Sequence, residues 1–165
     1  MNAMPAASAT SATSATSAPA AEGDFAGVPL FAHLSARHLA RLTRLTTRRS
    51  YRAGAVIVRQ GDTSMSFYVI LAGRVRVERV PAAGATAASE ELGPGGFFGE
   101  MELIDDLPRA ATVTAVAPTE CALLATWDFQ HELRGEPEIA LALLPALNRR
   151  IRDLEAQLGR LQAGA

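Results

Sequence analysis

The residues best suited to do chemistry lie between Gly95 and Ala115, in the run GGFFGEMELIDDLPRAATVTA. Glycines crowd its start at Gly93, Gly95, Gly96 and Gly99. They are followed by Glu100, by apolar residues at helical spacing (Met101, Leu103, Ile104, Leu107), by a stop at Pro108, and by Arg109 ahead of the strand-like Ala-Ala-Thr-Val-Thr-Ala. The order is a glycine-rich loop, one or two helical turns and an arginine at a strand start. That order suits an anion. Glycines let backbone N–H groups come close to a ligand, and a helix N-terminus presents unpaired donors at the positive end of its dipole. A guanidinium adds a planar fork that can hold phosphate through two hydrogen bonds. The plainer alternative stays open. Arg109 can be a solvated strand residue, and Glu100 an acid stabilised in the first turn of a helix.

Few other constellations offer chemistry. All sixteen basic residues are arginine, which excludes a lysine-dependent phosphate loop and Schiff-base catalysis. The single Cys121 excludes an internal disulfide and a cysteine-ligated iron–sulfur cluster, and its apolar setting predicts a buried, inert thiol. His33, His38 and His131 lack metal-ligand spacing. There is no Gly-x-Ser-x-Gly elbow and no βαβ unit around the glycines. No nucleophile has a neighbouring base, so no enzyme is expected. A net charge of −1 gives no hint of nucleic-acid or membrane affinity. No apolar run approaches the ~20 residues of a membrane span, and the N-terminus is not a secretory signal, so the expected location is the cytoplasm.

The elements that must position this stretch follow from period and punctuation. Residues 1–24 are Ala, Ser, Thr and Pro with Ser-Ala-Thr repeated, and are expected to be disordered. A helix is predicted after Ser35, which can cap it, with Leu39, Leu42 and Leu45 at helical spacing. From Tyr51 the pattern changes to short strands broken by glycines: Val56–Val58, Phe67–Leu71, the alternating Arg74–Glu78, then Thr112–Ala115 and Cys121–Trp127. Pro81 to Ala88 reads as a loose connection. Many short strands with glycine turns predict a jelly roll or barrel. Asp128 can cap a helix running to Leu133. A last helix, starting near Glu138, carries Leu144, Leu147, Ile151, Leu154, Leu158 and Leu161 in 3-4-3-4-3 spacing, with Arg150 and Glu155 at flanking g and e positions. That stripe predicts a homodimer seam, with packing on the protein's own barrel as the alternative. Pro145 inside it predicts a kink or a new helix start.

Phe98-Gly-Glu-Met-Glu-Leu-Ile and Pro108-Arg-Ala-Ala-Thr-Val closely resemble the phosphate-binding cassette of cyclic-nucleotide-binding domains, of the bacterial Crp/Fnr sensor type. The likeness runs from about Val28 to Leu161 and includes VPLFAHLS and AGAVIVRQGDTSMSFYVILAGRVRV, departing at Thr63-Ser64-Met65. It implies a mainly β fold with flanking helices, a double-stranded β-helix, with the β-roll and its leading helix over 25–137 and a C-terminal dimer helix over 138–165. It also implies a ligand set of Phe98, Gly99, Glu100, Met101, Glu102, Arg109, Ala110 and Ala111. Arg109 would neutralise a cyclic phosphate and Glu100 would accept from the ribose 2′-hydroxyl. The backbone N–H groups of Gly99, Met101, Glu102 and Ala110 would face phosphate and ribose. Ala110, where a threonine would favour guanine, implies cAMP as ligand ahead of cGMP, with no other cofactor. Base contacts are implied on the last helix, at Asn148, Arg149 and Arg152. Glu102 stands where the family usually keeps Ala, Gly or Ser, and a carboxylate there repels phosphate unless it points to solvent. Two further functions follow as alternatives. One is a degenerate fold that binds a protein in place of a nucleotide. The other is a fragment of a transcription regulator, since the helix-turn-helix of that type does not occur before Ala165. In every case the effector is left unspecified, and no nucleic acid is expected to bind through this chain.

Overall fold

The computed structural model describes residues 18–19, 23–25, 27–63, 65–80, 88–101, 103 and 107–163. Two antiparallel sheets form the body. The first runs in the order β1 (Ala18–Pro19), β2 (Thr46–Tyr51), β9 (Thr119–Ala125), β4 (Ser66–Ala72), β7 (Phe97–Phe98). The second runs β3 (Val56–Val58), β8 (Thr112–Ala115), β5 (Val75–Arg79), β6 (Ala88–Leu92). This is a jelly roll with helices added to one side, as the strand pattern predicts.

The middle of the first sheet lies between two cores, which explains the nearly continuous apolar runs of β4 and β9. Successive residues of a strand point to opposite faces. Phe67 and Val69 of β4, with Ala122 and Leu124 of β9, therefore enter a core shared with the helices. Tyr68 and Ile70, with Cys121 and Leu123, enter the core between the sheets. The helical core is built on phenylalanines: Phe31 meets Phe25 and Phe67 edge to face at 5.3 and 5.5 Å. Cys121 is fully buried, and burial pushes its thiol up to about 12. At Gly73, where φ is +86°, a Cβ would overlap the Pro118 carbonyl and come within 2.6 Å of the Thr119 Cα, so only glycine turns the chain there.

Helix α1 (Ala36–Arg44) starts at Ser35, whose hydroxyl accepts from the His38 N–H at 3.2 Å. Helices α2 (Thr126–Gly135) and α3 (Pro137–Ala163) follow β9. Arg41 ties α1 to the end of α2, donating to Glu132 and Glu136 at 2.7 Å each.

Several expectations need correction. Thr46–Tyr51 is a strand, although its first five residues are polar and its pattern does not alternate, because six consecutive residues pair with β9. Ala88–Leu92 is a strand on the same ground, paired with β5. Disorder does not extend over all of 1–24. Ala18–Pro19 pairs with Arg48 and Thr47, and Asp24 accepts from Arg48 at 2.8 Å. Residues 1–17 and 20–22 lie outside the described residues. The last strand ends at Ala125 and not Trp127. The Thr126 N–H donates to the Met65 carbonyl at 3.0 Å, so the residue just before β4 supplies the capping acceptor and Asp128 falls inside the first turn. No new helix starts at Pro145: α3 runs continuously through it. The residue one turn back, Leu141, is 65% exposed, where water can take the carbonyl that proline leaves without a donor. Pro137 opens α3, a position where its missing N–H costs no helical bond.

Candidate functional site

A cleft of about 390 Å³ opens between the inner face of the second sheet and the loop that follows β6. Such a volume is within the usual range for small-molecule sites. Arg109 sits at its floor, 3% exposed. The backbone fixes it there. The Arg109 N–H donates to the Asp62 carbonyl and the Gly61 N–H donates to the Arg109 carbonyl, each at 2.9 Å. The turn at Gln60-Gly61-Asp62 and the cassette are thereby locked together. The guanidinium donates through Nη2 to the Ser66 carbonyl. Its Cζ lies 5.7 Å from the centre of the Tyr68 ring, a cation–π distance. Tyr68 in turn stacks on Phe98, with 4.7 Å between centroids and 8° between planes. Arg109 is thus oriented by a carbonyl and a two-ring stack.

Gly99 makes this possible. Its φ is +82°, and a Cβ there would strike the Arg109 Nη1 and lie 2.7 Å from the Ser66 carbonyl. The glycine therefore makes room for the protein's own guanidinium, a need that close approach to a ligand does not by itself reveal. Upstream, the loop is tied to β4: the Gly95 N–H donates to the Ile70 carbonyl and the Ile70 N–H to the Gly96 carbonyl, both at 2.8 Å. Loop, β4 and the Gly61 turn together hold the cleft open around Arg109.

Of the expected ligand set, Phe98, Gly99, Glu100, Met101, Arg109, Ala110 and Ala111 all line this one cleft. Glu102 lies outside the described residues, as do Ile104, Asp105 and Asp106, and with them most of the short helix expected over Met101–Leu107. The residues expected to touch the base are not gathered there. Asn148, Arg149 and Arg152 line a groove on α3 with Leu141, Leu144 and Pro145. Only Arg149 also borders a hollow of about 120 Å³ that it shares with Glu100, Phe97 and Leu147.

Sequence reasoning missed the opposite wall. Val58, Val77, Arg79, Glu90, Leu92 and Val113 come from four strands of the second sheet. The alternation in Val75-Arg-Val-Glu-Arg signalled that Val75, Val77 and Arg79 share a face. Which cavity that face borders depends on how the sheets close.

The dimer stripe is divided. Leu147 is half-buried against the helical core, whereas Leu144 and Ile151 are 52% and 54% exposed. The side chains of Leu154, Leu158 and Leu161 lie outside the described set, as does that of Arg150. Among the described residues no helix is long and apolar enough to cross a membrane.

Residues 48–135 match the family described as the cyclic nucleotide-binding domain. The chain is 35% identical over 132 residues to the cyclic AMP receptor protein of Thermus thermophilus, covering 80% of this chain and 61% of that protein. It is 41% identical over 115 residues to a cyclic nucleotide-gated potassium channel of Mesorhizobium japonicum, covering 70% of this chain and 30% of the channel. The crystal structure of the Thermus thermophilus catabolite activator protein superposes with a TM-score of 0.69 at 34% identity, over 81% of this chain and 63% of that one. The chain therefore spans between about a third and two thirds of the length of these relatives.

Proposed function

The chain belongs to the cyclic nucleotide-binding domain family, and from that premise we propose that it is a cAMP sensor that passes its signal on through α3. Its domain is a regulatory, ligand-binding one, like those of the regulator and channel it resembles. The observation that carries the reading is Arg109: buried, locked by its backbone to Gly61 and Asp62, and seated at the floor of a cleft beside a glycine with no room for a Cβ. A guanidinium in such a low-dielectric recess binds an anion more strongly than one in water. In this reading Arg109 neutralises the cyclic phosphate and Glu100 accepts from the ribose 2′-hydroxyl. The backbone N–H groups of Gly99, Met101 and Ala110, which border the same cleft, add donors. Adenine is favoured by Ala110 after the arginine and by the name of the Thermus relative, a cyclic AMP receptor.

The output is a population shift. The hollow shared by Glu100, Phe97, Leu147 and Arg149 joins the cassette to α3, so a ligand that engages Glu100 alters the seat of the helix. It can do so only by binding one seating better than the other. The exposed Leu144 and Ile151 then serve a homodimer seam. The effector that receives the signal, and a cytoplasmic location, belong to the same proposal.

Calorimetric titration with cAMP and cGMP tests it. The native protein is expected to bind, Arg109→Ala to lose at least about a hundredfold in affinity, and Glu100→Gln about tenfold, at ~1.4 kcal/mol per decade. Glu102→Ala is expected to tighten binding by removing one negative charge from the cassette sequence. Far-UV circular dichroism checks that each variant is folded. No heat and no thermal shift with either nucleotide, in the native protein and in Glu102→Ala alike, would defeat the sensor reading in favour of a protein-binding module on the same fold.

A further inference from the structure

The cleft wall formed by β5 and β6 carries two charges for which the phosphate and ribose contacts give no role. In this hairpin Val77 stands opposite Glu90 and Val75 opposite Leu92. Side chains alternate along each strand, so Val75, Val77 and Arg79 share one face with Glu90 and Leu92. Of these, Val77, Arg79, Glu90 and Leu92 line the cleft that has Arg109 at its floor. The outer face behaves differently. There Arg74 and Arg76 both reach Glu91, at 3.6 and 3.4 Å. Arg79 and Glu90 have no ion pair among the described residues, neither with each other nor with a neighbour. Register explains why they do not close on each other. Arg79 is opposite Ala88, which leaves Glu90 as its diagonal neighbour, with roughly 7–8 Å between such positions. A donor fork and an acceptor pair therefore face the same space side by side, both exposed at the mouth of the cleft.

We propose that Arg79 and Glu90 read the purine edge of the bound nucleotide and that together they select adenine over guanine. The inference rests on the nucleotide reading above and assigns base recognition to the β5–β6 wall in place of Asn148, Arg149 and Arg152. The chemistry follows from the two edges. Adenine presents an acceptor at N7 and a donor at its N6 amino group, whereas guanine presents two acceptors, N7 and O6. An arginine donates to N7 of either base. A carboxylate accepts from the adenine amino group but meets the guanine O6 with no proton between them, which leaves two acceptors facing each other. Arg79 thus contributes affinity for any purine, and Glu90 contributes the choice. Because both groups are exposed, water competes with each contact, and each is expected to count for about a factor of ten, the equivalent of ~1.4 kcal/mol.

The test is calorimetric titration of the native protein, Arg79→Ala and Glu90→Gln with cAMP, cGMP and 7-deaza-cAMP, which lacks N7. The native protein is expected to prefer cAMP. Glu90→Gln should lower the cAMP-to-cGMP affinity ratio about tenfold, because a carboxamide can donate to O6 as well as accept from N6. Arg79→Ala should weaken cAMP about tenfold and leave 7-deaza-cAMP unchanged. An unaltered ratio in Glu90→Gln, with cAMP and 7-deaza-cAMP equally affected in Arg79→Ala, would overturn the inference and leave nucleotide binding intact. A native preference for cGMP that vanishes in Glu90→Gln would also overturn it, by showing that Glu90 accepts from guanine N1 and N2. Failure of the native protein to bind any of the three would bring down the underlying reading, and the inference with it.

Discussion

The two parts of α3 have the same sequence rhythm and opposite surroundings. In residues 137–147, Ile139 and Leu143 are buried to within 3% of full coverage, and Ala142, Ala146 and Leu147 pack against the phenylalanine core. From Asn148 onward every side chain with a described exposure is open to solvent. Yet leucine or isoleucine recurs at three- and four-residue intervals through both. An apolar stripe records only that a face wants a partner. In the first part the partner is the protein's own core. In the second it must come from elsewhere, and a second copy of the chain is the partner proposed above. The boundary falls beside the cleft, where Leu147 and Arg149 share a hollow with Glu100. In the mechanism proposed above, a change at the cassette would reach the helix at the point where its buried part gives way to its exposed part.

The largest effect expected on this contrast is on folding. Ile139→Ala or Leu143→Ala removes a side chain from a packed core and should cost about 2–5 kcal/mol in urea unfolding. A loss below ~1 kcal/mol would mean that the first part of α3 is no better seated than the second. A second, intermediate effect separates the regions chemically. Burial holds the Cys121 thiol up at about 12 against an ordinary 9.0, so thiol reagents near pH 8 should leave it untouched in the folded protein, while Leu141→Cys, on the exposed side of α3 and outside the seam, reacts at once. The sign for stability follows. A thiol that keeps its proton in the folded state contributes fully below pH ~9, and the contribution is lost as pH rises toward 12, because the unfolded chain ionises first. Cys121→Ala should flatten that part of the alkaline decline, and an unchanged slope would show that other groups, such as the buried Tyr51 whose hydroxyl is also pushed up, account for it. The smallest effect is expected on the projecting part. Ile151→Ala should stay within about 0.5 kcal/mol of the native monomer's stability, whereas Leu144→Arg combined with Ile151→Arg should shift sedimentation from dimer to monomer without lowering the melting temperature of the monomer. Sedimentation of the native chain as a monomer at all concentrations would remove the seam.

The cassette was legible because its devices are local. Glycines, a proline stop and an arginine at fixed offsets point to a turn, a break and a candidate anion site in one short run, and seven of the eight expected ligand residues line one cleft. The cap at Ser35 was legible for the same reason. Thr46–Tyr51 was not, because its strand character comes from β9 alongside and not from its own residues. Trp127 was misplaced because the acceptor for the first turn of α2 is the Met65 carbonyl, some sixty residues away in the chain. Base contacts on the last helix are an implication of the family resemblance and not of any local pattern, whereas the placing of Arg79 and Glu90 on one face of the cleft wall depends on hairpin register, which the sequence alone does not show.

The jelly-roll class, the glycine turns, the run of glycines, proline and arginine that borders the cleft, and the amphipathic character of the last helix could be read from the sequence, since each depends on conformational preferences and spacings within a few residues. Only the tertiary structure decided that Gly99 clears room for Arg109, that two strand faces meet to form the second wall of the cleft, and where along α3 the core ends. Those depend on distances between segments far apart in the chain, and such distances are set by the closing of the two sheets and the packing of the phenylalanine core, which no local pattern encodes.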